Sequence, residues 1–151
     1  MSTSAPAAST RARNWPTPRR GSEGLVERRF DGFVPGRYQL DGFGAGGFRF
    51  AEMSHRGSIL ATPAGIRIWP VTSFAQVTLE SLQPVLDEAG TIDFLILGIG
   101  HDIAFLPASL RDPFKAVGIT VEAMATPAAA RTYNVLVGEE RRVAAALIAV
   151  D

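Results

Sequence analysis

The second half of the chain alternates strand-like and helix-like patterns. Apolar runs bounded by glycine or polar residues are typical of buried strands. The segments between them place apolar side chains on one helical face. A strand–helix–strand crossover packs right-handed on a shared sheet, so this half predicts a β-α-β-α-β unit. The predicted strands are 92–97, 119–123 and 144–150, and the helical patterns cover about 79–89, 106–117 and 127–137.

Capping residues and prolines set the expected ends of these helices. Thr78 is expected to cap the first helix, and Pro84 fits either a helix that begins just before it or a kinked one. Asp112 and Thr126 are each followed by a proline, which is the pattern of an N-cap and a first helical turn. We therefore predict two short helical pieces in 106–117 and a last helix that ends at Gly138.

The first half of the chain alternates over shorter distances and predicts a meander of short strands. Four glycines lie within residues 41–47, which indicates a backbone that needs positive φ angles or close approach. Residues 54–57 are expected to form a turn. The predicted strands are 38–40, 48–52, 58–61 and 66–69.

Residues 1–36 differ in composition from the rest, being rich in Ala, Ser, Thr, Pro, Gly and Arg. Such a segment buries too little apolar surface to offset its ordering entropy. We therefore predict a disordered tail before a single α/β domain of residues 37–151. Two alternatives stay open. A transit peptide would be rich in Arg and Ser, although Pro16 and Pro18 oppose the amphipathic helix it needs. A docking arm would use Trp15 as its anchor.

Composition excludes several classes of function. The chain has 15 basic and 15 acidic residues, so no overall charge attracts nucleic acid or an anionic membrane. There is no cysteine, which excludes disulfides, thiolate metal sites and cysteine nucleophiles. No apolar run approaches the roughly 18–20 residues of a membrane span. The first 21 residues lack the apolar core of a secretory signal.

Two glycines follow the apolar run of the middle strand. Gly98 and Gly100 match the first two glycines of a dinucleotide-binding loop, but Ile103 stands where the third is expected. The structural interpretation is a tight turn at the carboxyl end of a strand. Carboxyl ends of parallel strands are nonetheless where open α/β sheets bind ligands.

A second candidate loop opens the last helix at Thr126. A helix start offers free N–H groups, which favour an anion, and Arg131 lies one turn further along. Under a ligand hypothesis, a small anion or carboxylate binds between Gly98–Gly100 and Thr126–Arg131. The residues predicted to line this ligand cleft are Gly98, Gly100, His101, Glu122, Thr126, Arg131 and Asn134.

A structural interpretation of the same segment stays open beside the ligand hypothesis. In it Thr126 caps the helix, Arg131 pairs with a buried acid such as Glu122, and the alanines at 128–130 allow close packing. Tyr133 and Asn134 are expected to form hydrogen bonds within the fold.

No complete catalytic or metal-binding set is present in the sequence. His55 and His101 are the only histidines, and their positions give no metal-ligand spacing. His101 and Asp102 could form an acid–base pair, but neighbours on an extended segment point in opposite directions. A nucleophile elbow is missing, and no Gly-Lys-Ser/Thr follows the glycines at 44–47. We therefore predict no catalytic residues, no metal ligands and no cofactor.

Three stretches together resemble a small family of domains of unknown function. The family includes bacterial and archaeal proteins and the mitochondrial complex I assembly factor three. The likeness covers about 38–150, and two positions depart from the family pattern. Ala125 stands where aspartate is usual, and Ile99 stands where threonine is frequent. The stretches that carry the resemblance are 41–48, 92–100 and 118–136, with the Glu139–Arg141 turn after them.

This resemblance implies a three-layer α/β domain with a central mixed sheet, covered by β structure from the first half. It implies no established catalytic activity, and a non-catalytic role in assembling the respiratory NADH dehydrogenase. The leading hypothesis is thus a non-enzymatic assembly factor. Its partners would be proteins such as complex I subunits or other assembly factors, and it would act near the inner membrane surface without spanning it.

Alternatives to this hypothesis stay open. One is a small-molecule or anion-binding domain, including an unrecognised enzyme. Homo-oligomerisation through the exposed edge of the first-half strands is another. We expect the protein in the bacterial cytoplasm, or on the matrix side of the inner membrane if its source is eukaryotic.

Overall fold

The computed structural model describes residues 29–102 and 104–151. Three 3₁₀ turns (Phe74–Gln76, Glu80–Leu82 and Ala89–Thr91) precede or follow the first helix. The helices are α1 (Gln83–Asp87), α2 (Ala108–Ala116) and α3 (Thr126–Gly138). The strands are β1 (Phe33–Pro35), β2 (Leu40–Gly44), β3 (Gly47–Phe50), β4 (Met53–Arg56), β5 (Ile59–Thr62), β6 (Gly65–Ile68), β7 (Phe94–Gly98), β8 (Thr120–Met124) and β9 (Val143–Leu147).

A six-stranded mixed sheet forms the centre of the domain, in the order β1-β6-β5-β9-β7-β8. β7 runs parallel to both of its neighbours, β8 and β9, whereas β5 joins the other side of β9 in the antiparallel direction. β2, β3 and β4 form a separate antiparallel sheet. The predicted α/β class with a central mixed sheet is confirmed.

Two hydrophobic cores lie on opposite faces of the central sheet. Alternate side chains of β9 point to the two faces, so Ala145 lies in one core and Ala146 in the other. The first core lies under α3 and the three-stranded sheet, and the second lies under α1 and α2. The domain is therefore a three-layer structure, as the resemblance implied.

The predicted boundary of the tail at residue 36 was wrong, because Phe33–Pro35 form β1. Val34 pairs with Ile66 of β6 and is 4% exposed. The ring of Phe33 covers the bare face of Gly65, where a Cβ would come within 2.7 Å of it. The side chains of Phe33 and Val34 stabilise this short edge strand. The amino-acid composition of a segment does not show individual contacts of this kind. Residues 1–28 of the predicted tail lie outside the described part of the chain.

The predicted turn at 54–57 was also wrong, because these residues belong largely to β4. The chain reverses earlier, at Ala51 and Glu52, where Phe50 pairs with Met53. Both turn residues have positive φ angles, 51° and 63°. A two-residue hairpin of type I′ needs this conformation and usually takes Asn or Gly there. The turn therefore lacks the residues by which such turns are recognised in a sequence.

Of the two alternatives predicted for the first helix, the structure shows the one in which the helix begins just before Pro84. The Oγ1 of Thr78 accepts the Ser81 N–H at 3.1 Å, and the Ser81 Oγ accepts the Thr78 N–H at 3.0 Å. This reciprocal pair closes the chain at the 3₁₀ turn before the helix, whereas the N-cap of α1 is Leu82, so Thr78 does not cap the first helix as predicted. α1 then starts at Gln83 with Pro84 in its first turn, where the missing N–H has no partner to lose.

The second helix differs from the prediction. α2 is one helix with Pro113 inside it, and Asp112 does not cap it. The helix starts earlier because the carbonyl of Pro107 accepts the N–H groups of both Leu110 and Arg111. The resulting nine-residue helix packs Phe114 into the second core.

The predicted ends of the last helix differ from the observed ends by one or two residues. Its N-cap is Ala125, so Thr126 is the first helical residue and not the cap. At the other end Glu140 has a φ of 61°. The Arg141 N–H binds the Leu136 carbonyl, and the Glu140 N–H binds the Val137 carbonyl. This is the Schellman arrangement, in which glycine usually holds the left-handed position. Gly138 therefore lies within the helix.

Candidate functional site

The carboxyl ends of β7 and β8 bring the two predicted loops together. The chain leaves β7 towards α2 on one face of the sheet, and leaves β8 towards α3 on the other. Loops that diverge to opposite faces create the crevice in which open α/β sheets bind ligands. Here that place is occupied by Gly98–Gly100 on one side and Thr126 on the other.

Thr126 connects these two loops and the end of β9 through hydrogen bonds. Its backbone N–H donates to the Gly100 carbonyl at 2.8 Å. Its hydroxyl accepts the Gly100 N–H at 3.0 Å and donates to the Ile148 carbonyl at 2.8 Å. The side chain is fully buried. The hydroxyl and both amides therefore have partners within the fold.

Gly98 is required by close packing. A Cβ at this position would lie 2.8 Å from the Leu147 Cδ2, and 3.1 Å from both the Ala129 Cβ and the Thr126 Cα. The bare backbone allows the first turn of α3 to approach β7 directly. The short alanine at position 129 serves the same contact, as the structural interpretation of the sequence proposed.

The other predicted cleft residues lie apart from this junction. Arg131 is exposed on α3, with its guanidinium carbon 5.8 Å from the centre of the Phe43 ring. Glu122 is exposed on β8, an edge strand of the central sheet. His101 is exposed beyond the end of β7. The ligand role of these residues stays a prediction.

Tyr133 and Asn134 bind the segment that leads into β2, which confirms their predicted structural role. The Tyr133 hydroxyl donates to the Tyr38 carbonyl at 3.0 Å. The Asn134 side chain pairs with the backbone of Leu40 in both directions. Its Oδ1 accepts the N–H at 2.6 Å, and its Nδ2 donates to the carbonyl at 2.8 Å. Burial of the Tyr133 phenol raises its pKa to about 12. The inner face of α3 thus positions the small sheet.

An open cleft of about 280 Å³ lies at the carboxyl ends of β7 and β9. It contains two of the predicted ligand residues, Gly100 and His101. The floor is apolar, because Ile99, Ile148 and Val150 are each less than a tenth exposed. The remaining lining residues are Thr72, Ser73, Phe74, Asp102, Ala149 and Asp151.

The sequence analysis did not identify the side of this cleft formed by 72–74 and 148–151. These segments follow strands β6 and β9, and only the sheet order brings β9 beside β7. The one signal in the sequence was the polar Thr72-Ser73 pair soon after a predicted strand, which is common in loops.

Among residues 29–102 and 104–151, no three side chains of His, Asp or Glu are grouped closely enough to hold a metal ion. The helices found among the same residues are all too short or too polar to cross a membrane.

Comparison with known proteins identifies relatives over most of the domain. An uncharacterized protein of Rhodobacter capsulatus is 42% identical over 120 residues, covering 80% of this chain and 90% of the relative. The NADH dehydrogenase [ubiquinone] 1 alpha subcomplex assembly factor 3 of Danio rerio is 35% identical over 102 residues. That alignment covers 68% of this chain, which spans only 59% of the assembly factor's length.

Solved structures include a protein of Bartonella henselae, described as an outer membrane protein, with a TM-score of 0.74 and 45% identity. The match covers 78% of this chain and 98% of the other. A family model described as "Protein of unknown function (DUF498/DUF598)" matches residues 40–148, which include every helix and strand after β1. The resemblance noted in the sequence is therefore confirmed, and the chain belongs to the DUF498/DUF598 family.

Proposed function

We propose that this protein is a non-enzymatic assembly factor that binds other proteins during biogenesis of the respiratory NADH dehydrogenase. The observation that carries the proposal is the 35% identity to assembly factor 3 of Danio rerio. The aligned part of that protein corresponds to a region about the size of this domain.

The contacts of α3 support a non-catalytic role. Its most distinctive side chains, Thr126, Tyr133 and Asn134, each bind the backbone of another segment. These hydrogen bonds hold the layers of the fold in place. Such a domain would act through the surface it presents. Phe105, which is 83% exposed in the loop before α2, is well placed to contact a partner.

The test is restoration of the enzyme complex in a strain of the source organism that lacks the gene. The full chain should restore the amount of assembled NADH dehydrogenase, measured by native gel electrophoresis with an in-gel activity stain. Phe105→Asp should restore less, because a buried partner contact cannot accept an unpaired charge. Val117→Asp, 47% exposed at the end of α2, is the matched control. An unchanged level of the complex in the deletion strain would refute the proposal.

A second candidate function is small-molecule binding in the open cleft beside Gly100. The observation that favours it is the position of the cleft at the carboxyl ends of two adjacent parallel strands, a frequent location for ligands in α/β folds. A ligand at 100 times its dissociation constant would stabilise the protein by about 2.7 kcal/mol. A thermal-shift screen of metabolites would detect this change.

Two variants separate the ligand locations. Loss of the response in His101→Ala but not in Arg131→Ala would assign the ligand to the open cleft. The reverse result would assign it to the loop at Thr126. If both variants keep the full response, neither location binds the ligand and this second candidate fails.

A further inference from the structure

The outer face of α3 presents a ridge of exposed side chains. We define the α3 ridge as Ala128, Arg131, Val135, Gly138 and Glu139, all of which are exposed. The opposite side of the helix is buried against β7 and β9. Val135, in the middle of the ridge, is 57% exposed although it is apolar. Val135 therefore gives the ridge one apolar contact point, and the charged residues on either side of it give the ridge its pattern.

The charges of the ridge are arranged symmetrically about Val135. Arg131 lies four residues before it and Glu139 four residues after it, so the three are neighbours along one side of the helix. The span from Arg131 to Glu139 is about 12 Å at 1.5 Å per residue. An antiparallel copy of the same helix, centred on Val135, would therefore bring each Arg131 to the Glu139 of the second copy.

We infer that the α3 ridge is a self-complementary surface that pairs with the α3 ridge of a second copy of this chain. Two-fold pairing of one patch with itself is the most common arrangement in soluble homodimers. Ala128 and Gly138 are small residues, which permit interaxial distances near the short end of the usual 8–10 Å. The opposed helix dipoles add to the attraction between the two charge pairs.

In the monomer, the Arg131 guanidinium and the Glu139 carboxylate make only weak contacts, so both can pair with a second copy. The Arg131 guanidinium contacts the edge of the domain only through the Phe43 ring at 5.8 Å. Glu139 is 4.0 Å from Arg141, and both side chains of that pair are about half exposed. Exposed contacts of this kind are weak and exchange readily with a partner.

The expected dimer is weak and sensitive to salt. One pair of helices of this length buries less than the roughly 800 Å² per partner of a standard interface. The ionic pairs are at the surface and are screened within about 10 Å at 0.1 M salt. This surface differs from the first-half strand edges that the sequence analysis suggested, since it lies on the last helix.

The test is sedimentation equilibrium of the full chain at low ionic strength over a wide concentration range. The wild type should show a reversible monomer–dimer equilibrium that weakens as salt is added. Arg131→Glu and Glu139→Arg should each weaken dimerisation about tenfold, which corresponds to about 1.4 kcal/mol. The double variant should restore it, because the two charges exchange places.

Lys115→Glu provides the matched control, since Lys115 is exposed on α2 and outside the α3 ridge. Far-UV circular dichroism checks that each variant is folded. A wild type that is monomeric throughout, or a double variant that dimerises no better than the single ones, would overturn the inference. So would a Lys115→Glu variant that weakens association as much as Arg131→Glu.

Discussion

Replacing Thr126 by valine should loosen the junction of β7, α3 and β9. Valine has nearly the shape of threonine but no hydroxyl. The change therefore removes two hydrogen bonds, one from the Gly100 N–H at 3.0 Å and one to the Ile148 carbonyl at 2.8 Å. The backbone bond between Thr126 and Gly100 remains, so the effect isolates the side chain.

The loss of stability depends on the buried polar groups that lose their hydrogen-bond partner. An unsatisfied buried donor or acceptor costs about 1–3 kcal/mol. Ile148 is only 3% exposed, so its carbonyl has little access to water. Gly100 is partly exposed, and its N–H can recover part of its loss by hydration. We therefore expect Thr126→Val to lower the free energy of unfolding by about 2–4 kcal/mol in total.

Urea unfolding followed by circular dichroism measures this difference directly. At about 2–4 °C per kcal/mol for a chain of this size, the melting temperature should fall by about 5–15 °C. Thr126→Ser keeps the hydroxyl and loses one methyl group, so it should cost about 1 kcal/mol. A valine variant within about 0.5 kcal/mol of the wild type, or a serine variant as unstable as valine, would refute the argument.

Three further changes should alter stability in defined ways. Gly98→Ala should destabilise by about 1–3 kcal/mol in urea unfolding, because its Cβ would press on Leu147 and Ala129. Glu140→Gly should stabilise by about 0.5–1 kcal/mol, since Glu140 has a φ of 61°; Glu140→Ala, which keeps the strain, is its control. The raised pKa of Tyr133, about 12, means that only the unfolded state ionises above pH 10. Stability should therefore fall from pH 10 to about 12, by roughly 2–3 kcal/mol, and Tyr133→Phe should remove this decline.

The β-α-β-α-β half could be predicted because its signals are local. Apolar runs located β7 and β8 to within two residues and β9 to within three, and crossover connections fix the parallel direction of β7 against its neighbours. The position of β5 beside β9 could not be predicted in the same way. Their pairing joins Leu60 to Ala146, residues far apart in the chain. It depends on the packing of both faces of the sheet.

The site was harder to predict because its contacts are remote in sequence. A helix pattern assigns Thr126 to a cap, whereas its hydroxyl in fact donates to Ile148, 22 residues further on. Asn134 pairs with Leu40 across 94 residues. Residue type alone indicated that these side chains would be hydrogen-bonded, since buried amides and hydroxyls nearly always are. It could not indicate the partner.

The two faces of α3 therefore have different consequences for function. Thr126 and Asn134 on its inner side are already bound to backbone groups, so a ligand there would have to displace buried hydrogen bonds. Arg131 and Glu139 on its outer side carry exposed charges, so a partner could bind them without displacing buried hydrogen bonds. The open cleft adjoins the inner side, because Gly100 and Ile148 line it and are hydrogen-bonded to Thr126, and Ile99 gives its floor an apolar side chain. Interaction with other protein chains is accordingly the function that requires the fewest changes to the fold.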